Sequence, residues 1–170
     1  MSTRITRKEM FKEMLGTVEK RSTCLRSRVA AILEKDGRVI SIGYNGPASG
    51  FPQCLPQTEF HRSCECMGPG CTRSIHAETN AIAFAAKAGI CIEGATMYCS
   101  MSPCINCAKL IINSGIKKLV YVEEYRNREG LELLSKAGIE TEFSPMKSRP
   151  DEVLMEVAAI DAKEDQFEQA

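Results

Sequence analysis

The chain has 170 residues, 44% of them hydrophobic, which is enough to bury the core of one compact domain. Its 22 basic and 22 acidic residues cancel, which argues against the broad positive surface that nucleic-acid binders present to phosphates. No apolar stretch is long enough to cross a membrane, and residues 1–12 lack the apolar core of a signal peptide. We therefore expect a soluble, cytoplasmic protein, a single domain over residues 1–170, that binds neither nucleic acid nor membrane.

The first part of the sequence predicts a helix followed by a β-hairpin. Apolar residues recur three and four positions apart over residues 5–18, which is typical of an amphipathic helix. We expect this helix to end near Ser22 and to pack on a sheet. Two β-prone runs, at 29–33 and 39–42, flank an Asp-Gly pair that favours a tight hairpin turn. Residues 44–74 have no sustained period and form a loop too long for an ordinary connection.

The second part alternates helices with strands. We expect helices at 75–87, 104–113 and near 128–136, each closed by a glycine, with strands at 95–99 and 118–122 between them. This alternation predicts a three-layer α/β/α fold with a mixed central sheet of about five strands. We expect a core over about 23–143 and a C-terminal helix or tail at 144–170, in which 151–162 are helical and 163–170 fray.

Four residues at the starts of two predicted helices carry catalytic chemistry. His76, Cys104 and Cys107 supply an imidazole and two thiolates, three zinc ligands that leave the fourth tetrahedral position to water, as in catalytic sites. Cysteines three apart at a helix N-terminus can point at one ion, and the positive end of the helix favours their thiolates. We expect Ser102 to cap this helix. Glu78 lies two residues beyond His76, so it can move protons instead of binding zinc.

The order H-x-E followed by P-C-x-x-C is the signature of the zinc-dependent nucleobase deaminases, and the sequence matches it without a gap. The chain resembles that family, which implies a cytidine-deaminase-like fold and attack of a zinc-activated water on C4 of cytosine. The resemblance implies that Glu78 takes the water proton, protonates N3 and helps ammonia leave. Taken alone, the histidine is a core or surface side chain and the C-x-x-C pair is redox-active or structural. The joint pattern favours catalytic zinc.

Two further segments, T-C-x-R at 23–26 and G-Y-N-G at 43–46, resemble the deoxycytidylate deaminase branch. The resemblance implies conversion of dCMP to dUMP, a precursor of dTTP. Arg26 is the first candidate to bind the phosphate, through two parallel hydrogen bonds, and Arg28 is the second. The alternative is that both are charged side chains exposed to solvent. Asn45 would bond the sugar hydroxyl, although Asn-Gly also simply makes a turn. Other residues expected near the nucleotide are Ala77, Asn80 and Tyr125. The alternative for Tyr125 is that it is only a half-buried aromatic side chain at the end of a strand.

Five further cysteines and His61 lie in or around the long loop. Some deoxycytidylate deaminases carry a second, structural zinc, and Cys54 matches a position that contributes to it. The resemblance implies a closed tetrahedral site, and its expected ligands are Cys24, Cys54, Cys66 and Cys71, with Cys64 or His61 as substitutes. The alternative is a set of buried free thiols. For Cys91 and Cys99, in an apolar turn and strand, we expect core packing.

Relatives are commonly homo-oligomers that dCTP activates and dTTP inhibits, so the resemblance implies these effectors and an oligomer. Phe84 and Lys87, on helix 75–87, would lie at a subunit contact that transmits the control, with Tyr44 and Gly46 as further candidates. The sequence is also compatible with a dCTP deaminase, or a dual dCMP/dCTP enzyme, because one pocket can hold one phosphate or three. The alternative from another class is a non-catalytic zinc- or nucleotide-binding module, against which the intact Glu78 argues.

Overall fold

The computed structural model describes residues 4–54 and 71–146. In chain order the elements are α1 (Arg7–Glu19), β1 (Ala30–Lys35), β2 (Arg38–Tyr44), β3 (Gly46–Pro47), β4 (Ser74–Ile75), α2 (Ala77–Ala88), β5 (Thr96–Met101), α3 (Ile105–Asn113), β6 (Lys118–Glu123), α4 (Glu129–Lys136) and β7 (Glu140–Phe143). Five strands form one sheet in the order β2-β1-β5-β6-β7. β1 is antiparallel to β2 and β5, whereas β5, β6 and β7 are parallel. The mixed five-stranded sheet is therefore confirmed.

The hairpin of β1 and β2 forms at the predicted Asp-Gly pair. Lys35 pairs with Arg38, so the connection has two residues. Asp36 has φ 53° and Gly37 has φ 76°, and a type I′ turn requires positive φ at both central positions. The turn thus sets the register of the pairs next to it, and an irregularity between Leu33 and Glu34 shifts the register by one residue further along the hairpin.

Helices cover both faces of the sheet, as predicted. On one face, Phe11 and Leu15 of α1 are 1% exposed and pack on Ile32, Tyr98 and Val120. On the other face, α2, α3 and α4 cover a second apolar cluster that includes Ala31, Leu33, Met97, Ile111, Leu119 and Leu134. Residues 30–33 of β1 are all buried because successive side chains point to opposite, covered faces.

α2 lies unusually close to the sheet because small residues line the contact. Ala77, Ala81 and Ala85 are fully buried on it, and a Cβ at Gly43 of β2 would collide with the Ala77 carbonyl oxygen. Ser41 Oγ also donates to the Ala81 carbonyl over 2.7 Å. These contacts determine where the N-terminus of α2, which follows His76, stands relative to the sheet.

The strand β7 was missed because its sequence is mostly polar. It pairs in parallel with β6 at the sheet edge, where Lys118 Nζ lies 2.6 Å from Glu140 Oε1 and 3.0 Å from Glu142 Oε2. An edge strand exposes one row of side chains to solvent, so charge is compatible with it. The short β3–β4 pair was also missed, since two-residue strands carry no periodic signal.

The expectation of core packing is confirmed for one cysteine of the pair and wrong for the other. Cys99 on β5 is 0% exposed, whereas Cys91 is exposed. Ile90 and Ile92 on either side of Cys91 pack against the core, and the intervening side chain consequently points outward. The expected helix at 151–162 and the fraying end at 163–170 lie outside the described residues. Within the described residues, no helix is both long and apolar enough to cross a membrane.

Candidate active site

Two helix N-termini meet at the predicted zinc ligands. His76 is the N-cap residue of α2 and Cys104 that of α3, and both have extended backbone conformations. His76 Nδ1 lies 3.5 Å from Cys104 Sγ and 3.3 Å from Cys107 Sγ. Among the described residues, these three are the only histidine, cysteine, aspartate or glutamate group close enough to share one metal ion, with ligand atoms within 4.8 Å of one another.

The donor set fits zinc, which prefers nitrogen and sulfur ligands in a tetrahedral arrangement. A hydrogen bond from Cys107, followed by contacts with His76, lowers the pKa of Cys104 to about 3. The pKa of Cys107 is raised, first by that same hydrogen bond and then by burial. Of the two thiols, Cys104 therefore loses its proton readily, whereas Cys107 keeps its proton. Both can be thiolates only when a nearby cation compensates the second negative charge. Such an arrangement suits a dication.

Glu78 lies beside the metal ligands without joining them. Its side chain belongs to the second residue of α2, is 4% exposed and lines the same cavity as His76 and Cys104. Burial is the main cause that raises the pKa of its carboxyl group, because desolvation disfavours the charged form. A carboxyl group with a raised pKa exchanges protons more readily near neutral pH than an exposed one.

Two of the three candidate metal ligands, His76 and Cys104, line a cavity of about 340 Å³. Of the predicted nucleotide-binding residues, it is lined by Arg26, Asn45, Ala77 and Tyr125. Arg28 lines a different cavity of about 300 Å³, together with Lys20 and Glu123. The two candidate phosphate ligands are therefore separated, and only Arg26 faces the metal site.

Asn45 and Asn80 have structural partners that the sequence did not reveal. Asn45 Oδ1 accepts hydrogen bonds from Val29 N at 2.8 Å and Ser22 Oγ at 2.7 Å, and its amide group donates to the Ser27 carbonyl. Asn80 Nδ2 donates to the Tyr44 carbonyl over 2.9 Å, and this residue does not line the cavity. Both asparagines hold loops against the site.

Ser102 does not cap α3, contrary to expectation. The helix begins after Cys104, two residues further on, and no side chain caps it. Ser102 is instead buried, its Oγ accepts a hydrogen bond from Tyr125 N at 2.8 Å, and its own N–H donates to the Glu123 carbonyl. It thereby ties the loop before Cys104 to the segment that carries Tyr125.

A comparison with protein families agrees with this geometry. The family model described as "Cytidine and deoxycytidylate deaminase zinc-binding region" matches residues 5–123. The chain belongs to the cytidine and deoxycytidylate deaminase family. It is thus a zinc-binding hydrolytic deaminase by family, and the structure brings His76, Cys104 and Cys107 together as a possible metal site.

Individual members of the family resemble the chain over most of its length. The deoxycytidylate deaminase of Enterobacteria phage T4 is 40% identical over 167 residues, covering 77% of this chain and 86% of the phage protein. ComE operon protein 2 of Bacillus subtilis is 37% identical, covering 82% of this chain and 71% of that protein. The crystal structure of dCMP deaminase from cyanophage S-TIM5, in complex with dCMP and dUMP, superposes with a TM-score of 0.72. That structure is 32% identical and covers 84% of this chain and all of the phage chain.

The second zinc site expected in this deaminase stays a prediction. Cys24 and Cys71 line the active-site cavity, and Cys54 is half-buried. The fourth expected ligand, Cys66, and its substitutes Cys64 and His61 fall in residues 55–70, outside the described ranges.

The candidate regulatory residues lie near α2 of the deaminase fold. Phe84 is 55% exposed, and Lys87 is exposed one turn later. Tyr44 is half-buried at the end of β2, where Asn80 binds its carbonyl, and Gly46 follows in β3.

Sequence reasoning missed several residues at the site, among them Arg126 and Thr79. Arg126 lines the cavity with its guanidinium carbon 5.4 Å from the centre of the Tyr125 ring; its position directly after Tyr125 was the available signal. Thr79 Oγ1 lies 3.7 Å from Cys107 Sγ. Thr79 is three residues beyond His76 and hence on the same helix face.

Proposed function

We propose that the chain catalyses the hydrolytic deamination of dCMP to dUMP and ammonia. The observation that carries this proposal is one cavity whose lining includes Arg26, buried Glu78 and two candidate metal ligands, His76 and Cys104. Guanidinium groups bind phosphate through parallel hydrogen bonds, so Arg26 provides the recognition that a nucleoside monophosphate needs. The names of the phage T4 relative and of the S-TIM5 structure support the same substrate.

The chemistry divides between the metal and the buried carboxylate. Zinc, when held by His76, Cys104 and Cys107, supplies a Lewis acid that makes water nucleophilic at neutral pH. Glu78 accepts the proton from the attacking water as the oxygen bonds to C4 of the cytosine ring. Glu78 then delivers that proton to N3. It next carries the remaining proton of the hydroxyl added at C4 to the exocyclic amine, so that the C4 carbonyl forms, the C4–N bond breaks and ammonia leaves. The raised pKa of Glu78 suits a group that must both take and return protons.

The test is ammonia release by the zinc-loaded protein with dCMP, dCTP, cytidine and deoxycytidine at matched concentrations. We expect selective turnover of dCMP. Preference for dCTP would contradict the proposal and assign the chain to a triphosphate branch. If the zinc-loaded protein releases ammonia from none of the four compounds, the metal site stands but the assignment of dCMP as substrate is wrong.

Replacement of Arg26 tests the phosphate contact with a matched control. A hydrogen bond to a charged group contributes about 1.5–3 kcal/mol, so Arg26→Gln should lower kcat/KM for dCMP by roughly 10- to 100-fold. Deoxycytidine has no phosphate, so its slower turnover should not change. Arg28→Gln makes the same chemical change two residues away, in the other cavity, and should leave dCMP kinetics nearly unaltered. Equal losses in both variants would show a general charge effect instead.

We further propose that the enzyme is a homo-oligomer activated by dCTP and inhibited by dTTP. In support, Phe84 exposes a large apolar side chain on α2, the helix whose N-terminus carries the catalytic residues. A subunit contact at Phe84 would therefore be transmitted to the active site through α2. Light scattering should give a molar mass above that of one chain, and dCTP and dTTP should change the dCMP saturation curve in opposite directions. Unchanged kinetics with both nucleotides would contradict this.

We place this activity in the cytoplasm. Cys104 and Cys107 must stay reduced so that their thiolates can bind zinc, and the described cysteines form no disulfides. A reducing compartment maintains that state.

A further inference from the structure

Thr79 contacts a metal ligand, although no zinc-binding or substrate-binding role was expected of it. Its hydroxyl oxygen lies 3.7 Å from Cys107 Sγ. His76, at the N-cap of α2, and Thr79, one turn later, share a helix face. Cys104 and Cys107 have the same spacing on α3. The two first turns therefore face each other, with Thr79 opposite Cys107.

The donor and acceptor of this contact are decided by the chemistry of the site. A zinc ligand is a thiolate, which has no proton to give, so the threonine hydroxyl must donate and the sulfur accept. Among the described side chains, the other hydrogen-bond partners of Cys107 are Glu78, His76 and Cys104. An ionised Glu78 carboxylate only accepts hydrogen bonds, so it cannot donate one to a thiolate. His76 and Cys104 are metal ligands themselves, so their contacts with Cys107 are replaced by bonds to the metal when it binds.

Burial makes the contact important. Cys107 is 2% exposed, and a buried thiolate without a hydrogen-bond donor is costly because water cannot solvate it. Groups that bond to metal ligands orient them and modulate the charge they share with the metal, and their loss typically weakens metal binding or activity by 10- to 100-fold.

We infer that Thr79 is a positioning residue of the zinc site, whose hydroxyl donates a hydrogen bond to the Cys107 thiolate and thereby stabilises bound metal. The inference rests on the zinc site of the family and does not depend on dCMP as substrate. A failure to deaminate dCMP would leave it untouched, because its test measures metal binding.

The experiment compares wild type, Thr79→Val and Thr79→Ser. Valine keeps the shape and β-branching of threonine but removes the hydroxyl, and serine restores the hydroxyl without the methyl group. In competition with a chromophoric chelator, Thr79→Val should bind zinc roughly 10-fold more weakly or worse, and Thr79→Ser should bind close to wild type. Thr17→Val, an exposed threonine on α1, controls for the same substitution in a helix.

Cobalt(II) bound in place of zinc gives a second readout that packing alone would not move. A hydrogen bond lowers the energy of the thiolate electrons, so its loss should shift the sulfur-to-cobalt charge-transfer band to longer wavelength in Thr79→Val. Thr79→Ser should restore the band. Unchanged affinity and spectrum in Thr79→Val would overturn the inference. Equal defects in the valine and serine variants would also overturn it, since they would assign the effect to the methyl group.

Discussion

Glu78→Gln is expected to abolish turnover while leaving the fold and the zinc content intact. Glutamine has the shape of glutamate but cannot take a proton from water or return one to the ring. General acid–base catalysis typically contributes about 10²- to 10⁴-fold, and Glu78 serves more than one transfer, so we expect a loss toward the upper end. Steady-state ammonia release on dCMP measures kcat, and metal analysis measures zinc per chain.

The stability of this variant separates a catalytic loss from a structural one. Burial raises the pKa of Glu78, so the folded site favours the neutral acid over the charged carboxylate. Stability therefore falls as pH rises through the titration of this group, because the folded state then holds more protons than the unfolded state. An uncharged glutamine should consequently give an equal or higher Tm at neutral pH. Retained turnover would refute the role of Glu78 as proton carrier.

Gly43→Ala is expected to damage both stability and catalysis, although residue 43 contacts no substrate in our proposal. A Cβ at this position would collide with the Ala77 carbonyl oxygen and lie 2.5 Å from the Ala81 nitrogen. These are backbone atoms, so no side-chain rotation can relieve the contact and α2 must move away from β2. Overpacking of this kind costs about 1–3 kcal/mol, measurable by urea denaturation.

The displacement of α2 should also reach the chemistry, because the helix begins directly after His76 and carries Glu78 in its first turn. A misplacement of about 1 Å can cost roughly 10²-fold in rate, so kcat on dCMP should fall well beyond what unfolding explains.

Gly16→Ala provides the matched control. Gly16 lies within α1, and a Cβ there meets only Met146 at 3.9 Å. Because alanine favours helix by about 1 kcal/mol over glycine, this variant should be more stable. A Gly43→Ala protein as stable and active as wild type would contradict the packing argument.

The sequence by itself predicted the helices and four of the five strands of the main sheet, and it indicated the metal chemistry, because these depend on short motifs and local periodicity. The Asp-Gly pair dictates the hairpin because few other dipeptides accept two positive φ angles. His76, Cys104 and Cys107 could be assigned as ligands because helix starts place residues at known spacings toward one point. The same local reasoning failed for Ser102, whose partner is Tyr125 and not the helix end beside it.

Tertiary structure alone decided which distant residues share a surface. Arg26 and Arg28 are two residues apart in the sequence, yet they line two different cavities. β7 forms because β6 offers a free edge and Lys118 pairs with its carboxylates, although its own residues carry little strand signal. Thr79 contacts Cys107 because the first turns of α2 and α3 lie side by side, and small residues let α2 lie close to the sheet. Such contacts depend on packing between segments that are far apart in the chain, and no local sequence pattern encodes this packing.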